Sequence, residues 1–189
     1  MRRLYHLLPV MLTLALASCT GVVVQDDPGP RGSLHPGDFE YATGNGAIET
    51  IIIGNPFGGP KQQFDAHVRN LMKHQNRGKP AEYVAGQTNR TDPLYKVVVA
   101  FNLPPGIGTD EMCKNPSGLP SRHHTGRLTV AIAFCYGDQM KSDTTGYASE
   151  VTSADDPKFA ELIRYATRYM IPDTEHERDD SESSDPPSP

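Results

Sequence analysis

The side chains with the most specific chemistry in this sequence lie in a loop of residues 110–124, which carries Asp110, Glu111, His123 and His124. Carboxylates and imidazoles are zinc ligands, but adjacent histidines need further ligands to close a site. No cysteine or acid stands at a recognised zinc-ligand spacing from them. The loop therefore offers four weak metal-ligand candidates, and a plain polar loop is the simpler interpretation. We predict no bound metal and no cofactor.

Catalytic motifs are not apparent. The segment GNPFGGPK follows an apolar run, as a phosphate-binding loop does, but Pro60 separates Gly59 from Lys61 and no Ser or Thr follows the lysine. A glycine-rich turn explains this segment better. The sequence also lacks the G-x-S-x-G elbow of serine hydrolases. We predict no catalytic residues, which favours a non-enzymatic protein.

The first residues, MRRLYHLLPVMLTLALASCT, are arranged as an export signal. Two arginines precede residues 4–17, a mostly apolar, uncharged run of 14 residues. A helix that spans a bilayer needs about 20 apolar residues. A positive start, a short apolar run and a close of small residues are typical of a secretory signal peptide.

Two cleavage sites are compatible with this signal. The ALA of residues 15–17 fits ordinary cleavage, which would leave a chain that starts at Ser18. The LASC of residues 16–19 resembles the lipobox of bacterial lipoproteins, which implies that Cys19 carries a diacylglycerol on sulfur and becomes the acylated first residue. We favour the lipobox. Thr20, in place of the aspartate frequent in inner-membrane lipoproteins, favours the outer membrane.

Three cysteines in an exported chain call for an explanation, because disulfides use cysteines in pairs. If Cys19 carries lipid, Cys113 and Cys135 remain, and export places them where disulfides persist. We therefore predict a Cys113–Cys135 disulfide between a Pro-rich loop and the strand after it. Two free buried thiols are one alternative. A cysteine nucleophile served by His123 or His124 is the other.

Charge is unevenly distributed along the chain. The 189 residues include 18 Lys and Arg and 23 Asp and Glu, and residues 173–189 alone hold seven acids and one arginine. The acidity therefore belongs to the C-terminal tail and not to the folded part. No clustered basic face is visible, so the sequence predicts no nucleic-acid partner.

Hydrophobic periodicity predicts four strands and two helices. The strands are expected at residues 47–54, 94–102, 127–136 and 144–151. Apolar stripes at helical spacing begin at Pro60 and at Pro157, with Asp156 as a natural N-cap for the second. The order β-α-β-β-β-α predicts an α+β fold, a single small domain with an antiparallel sheet of about four strands and two helices on one face.

Composition divides the chain into four parts. They are a lipoprotein signal peptide (1–18), a flexible tether (19–42), an α+β domain (43–172) and a disordered acidic tail (173–189). The tether is rich in Pro, Gly and Asp and the tail is strongly acidic, so neither is expected to bury enough surface to fold.

Several segments together resemble an uncharacterised family of small bacterial lipoproteins. They are IIIGNPF, the helical stripe of Phe64, Val68 and Met72, YKVVVAFN, AFCYGD and DDPKFAELI. The resemblance covers about residues 47–172, and its motifs are structural. It implies no activity.

These observations favour a membrane-anchored periplasmic lipoprotein that serves envelope structure or binds a protein partner. The membrane is a partner through the lipid on Cys19. The alternative is a periplasmic module that binds a small ligand or a metal through the 110–124 loop. A deep polar pocket beside Glu111 and His124 would favour that alternative, and an exposed apolar patch would favour protein binding.

Overall fold

The computed structural model describes residues 21–25, 34–35, 37–123 and 126–171, and these form six strands and four α-helices. The strands are Val22–Gln25 (β1), Ala47–Ile53 (β2), Glu82–Val84 (β3), Tyr95–Phe101 (β4), Arg127–Tyr136 (β5) and Gln139–Ser149 (β6). The helices are Asp38–Ala42 (α1), Lys61–Met72 (α2), Thr109–Lys114 (α3) and Pro157–Met170 (α4), with one 3-10 turn at Pro116–Gly118.

The strands form one mixed sheet in the order β1-β6-β5-β4-β2-β3. β2 runs parallel to both of its neighbours, β3 and β4, whereas the pairs β4–β5, β5–β6 and β1–β6 are antiparallel. A parallel pair needs a long crossover, and α2 supplies it between β2 and β3. The predicted four-stranded antiparallel sheet is therefore wrong in strand number and in the pairing of β2.

The face of the sheet that packs against α1, α2 and α4, here called the first face, holds the larger core. Large side chains alternate along β4 and β5 on this face, from Val97 to Phe101 and from Leu128 to Phe134. Phe159 of α4 is fully buried, and its ring centroid lies 5.9 Å from that of Phe101. Stacked and edge-to-face aromatic pairs of this kind stabilise a core beyond the area that they bury.

The opposite face of the sheet, here called the second face, is covered by α3. Small residues line this face, including Ala100, Ala131 and Ala133, and Met112 of α3 packs against them. The prediction of two helices on one face is thus wrong, because helices lie on both faces. The long loop predicted between the second and third strands contains α3 and the 3-10 turn.

The segment 19–42, predicted as a flexible tether, contributes two elements to the fold. Residues Val22–Gln25 pair with β6 along the edge of the sheet, and Val22 and Val24 pack against the core of the first face. In α1, Phe39 and Ala42 are buried in the same core. Four residues are too few to form a stable strand alone, so β1 depends on pairing with β6.

The strand signal at 127–136 and the last helix signal are confirmed, whereas the strand predicted at 144–151 begins earlier, at Gln139. The predicted strand at 127–136 has the same bounds as β5, and α4 begins at Pro157 as predicted. The Asp156 carboxylate caps α4 by accepting the Lys158 backbone N–H at 2.9 Å. Of the helices in the described ranges, none combines the length and the apolar character needed to cross a bilayer.

Candidate functional site

Two of the candidate metal ligands form ion pairs with a lysine. Asp110 and Glu111 lie in the first turn of α3, and Lys114 in its last turn donates to both carboxylates, at 2.7 Å and 3.0 Å. The hydrogen bond to Asp110, and then that to Glu111, raises the pKa of Lys114 to about 12. In return, the bond from Lys114 lowers the pKa of Asp110. These carboxylates form a surface ion-pair cluster.

The remaining metal candidates do not complete a site. His123 is exposed near the end of the loop, and His124 lies outside the described residues. Within the described ranges, no three Asp, Glu, His or Cys side chains come together as a group that could hold a metal ion. The structure therefore does not bring Asp110, Glu111 and His123 into one such cluster.

Cys113 and Cys135 form a disulfide-capable pair, as the sequence predicts. Cys113 lies in α3 and Cys135 near the end of β5, with their Cα atoms 5.6 Å apart. Both residues are fully buried on the second face. The pairing joins α3 to the sheet. Cys19, the predicted lipidation site, lies outside the described residues.

The most prominent exposed aromatic feature of the described chain is a cleft at one end of the sheet, which we call the tyrosine cleft. Its lining residues come from α1, the start of β4, the end of β5 and the start of β6, and they are Tyr41, Asp92, Leu94, Tyr95, Tyr136 and Lys141. The cleft encloses about 180 Å³. Tyr41 is 71% exposed, Leu94 50% and Tyr136 37%, so the cleft presents unusually exposed apolar surface.

Strand register positions the rings. Tyr95 pairs directly with Tyr136 across β4 and β5, and their ring centroids are 5.0 Å apart. Tyr41 of α1 meets Tyr95 edge-on at 6.0 Å. Tyr95 also stacks on the buried Phe134 at 5.6 Å, and Phe39 of α1 meets Phe134 at 5.3 Å. The cleft is thus the outer end of the aromatic core on the first face.

Charged groups flank the rings. The Lys141 ammonium lies 3.7 Å from the Asp38 carboxylate and 5.6 Å from the centroid of the Tyr136 ring. The Asp92 carboxylate accepts the Leu94 backbone N–H at 2.8 Å. Burial, and then the negative charge of Asp38, raise the pKa of Tyr95. The Tyr95 phenol therefore stays protonated at neutral pH.

These properties suit binding. The rings provide apolar faces, the phenols provide hydrogen bonds, and Lys141 and Asp92 provide charges of both signs. A raised tyrosine pKa makes the phenolate a poor general base at neutral pH, because little of it is present. The cleft has the size of one or two side chains and the residue composition of a protein-binding hot spot, in which tyrosine is enriched.

The sequence does not indicate this cleft. Tyr95 and Tyr136 lie on the apolar faces of predicted strands, as core residues do, and Tyr41 lies in the predicted tether. Only the pairing of Tyr95 with Tyr136 and the docking of α1 beside them create the cleft. The local pattern shows only a tyrosine at the end of each of two predicted strands. It does not indicate that the two tyrosines lie close together.

The tyrosine cleft and the N-terminal strand lie at opposite ends of the sheet. Val22 pairs with Ala148, which pairs with Leu128 near the start of β5, whereas Tyr136 closes β5 at the cleft. The eight residue steps from Leu128 to Tyr136 correspond to about 27 Å of strand. The chain therefore enters the domain far from the cleft.

Comparison with known proteins identifies no family. No protein-family model matches the sequence, and a search of curated proteins finds no match. Among solved structures, the fold is similar to that of a chain of the PelC L103M dodecamer from Paraburkholderia phytofirmans, with a TM-score of 0.40 and 11% identity. The alignment covers 79% of this chain and 96% of that chain. A likeness at this level supports no inference about function.

Proposed function

We propose that this chain is a lipid-anchored lipoprotein of the bacterial envelope, facing the periplasm and favouring the outer membrane. Its folded domain is a non-enzymatic module that binds a protein partner. The proposal for the anchor rests on residues 16–19, LASC, directly after a short apolar run. The proposal for binding rests on one observation, the exposed tyrosine cleft.

The exposed aromatic surface is what favours a protein partner. Fully exposed apolar side chains are common singly, but here Tyr41, Leu94 and Tyr136 share one cleft with charged side chains at its rim. A surface that combines exposed tyrosine rings with charged side chains is typical of protein interaction sites. The alternative is a module that would bind a ligand through the 110–124 loop. Two of its four candidate side chains, Asp110 and Glu111, already form ion pairs with Lys114.

Because the cleft walls are packed against the core, the partner would meet a preorganised site. Tyr95 is held by Phe134 and Tyr136, and Lys141 is held by Asp38. Preorganised side chains lose little conformational entropy on binding, so a small contact area can still give useful affinity. We expect one apolar or aromatic side chain of the partner to occupy the cleft.

Site-specific photo-cross-linking in intact cells tests the binding proposal. A photoreactive phenylalanine derivative placed at Tyr41 should give an adduct of defined mass, and Tyr136→Ala in the same chain should remove that adduct. The matched control is Tyr165 on α4, which is 41% exposed but lies outside the cleft. Equal adduct patterns at positions 41 and 165, or no adduct at 41, would reject the tyrosine cleft as a binding site.

The anchor is tested separately by intact-mass analysis of the protein purified from membranes. We expect a mature chain that starts at Cys19 and carries acyl groups, and Cys19→Ala should block processing or release the domain. A mature chain that starts at Ser18 without added lipid would rule out the anchor and leave the binding proposal standing.

A further inference from the structure

The start of β1 places the sheet edge close to the proposed lipid. Cys19 is three residues before Val22, where β1 begins. An extended chain spans at most about 3.6 Å per residue, so the three steps from Cys19 to Val22 can span at most about 11 Å. A lipid on Cys19 would therefore keep this edge of the sheet near the membrane.

The sheet is open where this edge would meet the membrane. Val23 pairs with Tyr147, and Tyr147 pairs with Thr129, so these three side chains share the second face. α3 packs farther along the same face, beside Cys135. Val23 is consequently 41% exposed, although it belongs to a strand.

Two arginines lie at this end of the sheet, and one of them packs on this open face. The Arg127 guanidinium lies 3.4 Å from the centroid of the Tyr147 ring. Arg122 is exposed, and its backbone N–H donates to the Asn102 carbonyl at 3.2 Å. Asn102 in turn accepts the Thr129 N–H, which holds the Arg122 segment at this end of the sheet. In the described part of the chain, neither arginine forms an ion pair.

Acidic groups at this end of the sheet are already engaged. The Glu150 carboxylate pairs with Lys158 at 3.3 Å, and the Asp156 carboxylate caps α4. Both lie beside the start of α4, which packs on the first face. The second face at this end therefore presents an apolar residue, an aromatic ring and the Arg127 guanidinium.

We propose that this surface, formed by Val23, Arg127 and Tyr147 with the exposed Arg122 at the same end of the sheet and called the anchor-side surface, lies on the membrane and binds anionic phospholipid headgroups. The proposal rests on the proposed lipidation of Cys19. Arginine suits phosphate groups because its planar guanidinium donates two parallel hydrogen bonds. Tyrosine suits the membrane interface because its ring is apolar and its hydroxyl is polar. This orientation turns the tyrosine cleft away from the bilayer.

Tryptophan fluorescence of the full lipidated protein tests the orientation, since the chain contains no tryptophan. Val23→Trp and, at the other end of the sheet, Tyr41→Trp each introduce one reporter. The proteins are reconstituted in vesicles of phosphatidylethanolamine and phosphatidylglycerol that contain a phospholipid with a nitroxide headgroup. We expect strong quenching at position 23 and weak quenching at position 41. Tyr147→Trp serves as a second reporter if the β1 variant fails to fold.

Removing one arginine should weaken the docking. In the Val23→Trp background, Arg127→Gln should lower the ratio of docked to undocked domain about fivefold, the effect of one basic residue near an anionic surface. Added salt should reduce quenching as well. The matched control is Arg168→Gln, which removes an exposed arginine from α4 outside the anchor-side surface. It should leave quenching unchanged, as should Arg127→Gln in vesicles of phosphatidylcholine alone.

The outcomes separate this inference from the anchor on which it rests. If intact mass shows acylated Cys19 but positions 23 and 41 are quenched equally, the domain does not dock and the inference is wrong while the anchor stands. If the tryptophan at position 23 is unquenched and this position cross-links to a second copy of the chain, the β1 edges of two copies pair with each other instead. The inference is again wrong in that case. If Cys19 carries no lipid, the anchor fails and the inference fails with it.

Discussion

The first face of the sheet buries large aromatic and aliphatic side chains under α2 and α4, whereas the second face buries small ones under the six residues of α3. Within the described chain the first core contains 25 buried residues and the second contains eight. Because burial supplies most of the free energy of folding, the second face cannot be stabilised to the same extent by packing. It carries the cysteine pair instead. A disulfide between these cysteines would supply on the second face the stabilisation that side-chain volume supplies on the first.

The largest expected effect on stability comes from removing a large side chain from the core of the first face. Phe159→Ala should lower the free energy of unfolding by about 3–5 kcal/mol, because it leaves a cavity among the rings of Phe57, Phe64 and Phe101. Urea unfolding followed by circular dichroism measures the change. Tyr165→Ala on the exposed side of the same helix is the control, with an expected loss below about 0.5 kcal/mol. Similar stabilities for the two variants would contradict the importance assigned to the first core.

The second face should depend on its disulfide. Replacing both Cys113 and Cys135 by Ala should cost about 3 kcal/mol in the oxidised protein, since the closed loop spans 22 residues. Unfolding of the exported protein with and without reductant provides the measurement. The double variant should be insensitive to reductant, whereas the native chain should lose stability when reduced. Two reactive thiols in the denatured, unreduced native protein would show that the bond does not form.

A single glycine of β6 allows α4 to approach the first face. A Cβ at Gly146 would lie 2.8 Å from Leu162 Cδ1 and 3.1 Å from Val24 Cγ2. Gly146→Ala should therefore destabilise the domain by about 1–3 kcal/mol through overpacking. Gly21→Ala is the control, because no atom lies within 4 Å of the added carbon. Thermal melting of both variants tests the expectation. Equal melting temperatures would mean that α4 can shift to accommodate the added methyl group. The core of the first face would then be less tightly packed than its difference from the second face implies.

The smallest effect should appear at the start of α4. Asp156→Ala removes the acceptor for the Lys158 N–H and should cost about 1 kcal/mol, whereas Asp156→Asn should retain most of the cap. Urea unfolding resolves a difference of this size. If Asn behaves like Ala, the stabilisation comes from the charge at the helix N-terminus and not from the hydrogen bond.

Residues with long, regular patterns were the ones that sequence reasoning could place. The ten-residue strand Arg127–Tyr136 alternates large and small side chains, and Pro157–Met170 carries an apolar stripe after an N-cap residue. These signals are local, because they reflect which side of one element is buried. The pairing of Cys113 with Cys135 was also accessible, since it needed only a count of cysteines and the assumption of export. Short elements such as Glu82–Val84 gave no such signal.

The amino-acid sequence by itself determined β2, β4 and β5, the two long helices and the pairing of the two buried cysteines, whereas β6 begins five residues before the predicted strand. Tertiary structure alone decided that β2 pairs in parallel on both sides and that β1 completes the sheet edge. It also decided that α3 forms within the Pro-rich loop and that Tyr41, Tyr95 and Tyr136 meet in one cleft. The physical reason is that periodicity records only that a side chain is buried. The surface that buries it depends on strand pairing and helix docking, and these are set by contacts between residues far apart in the chain.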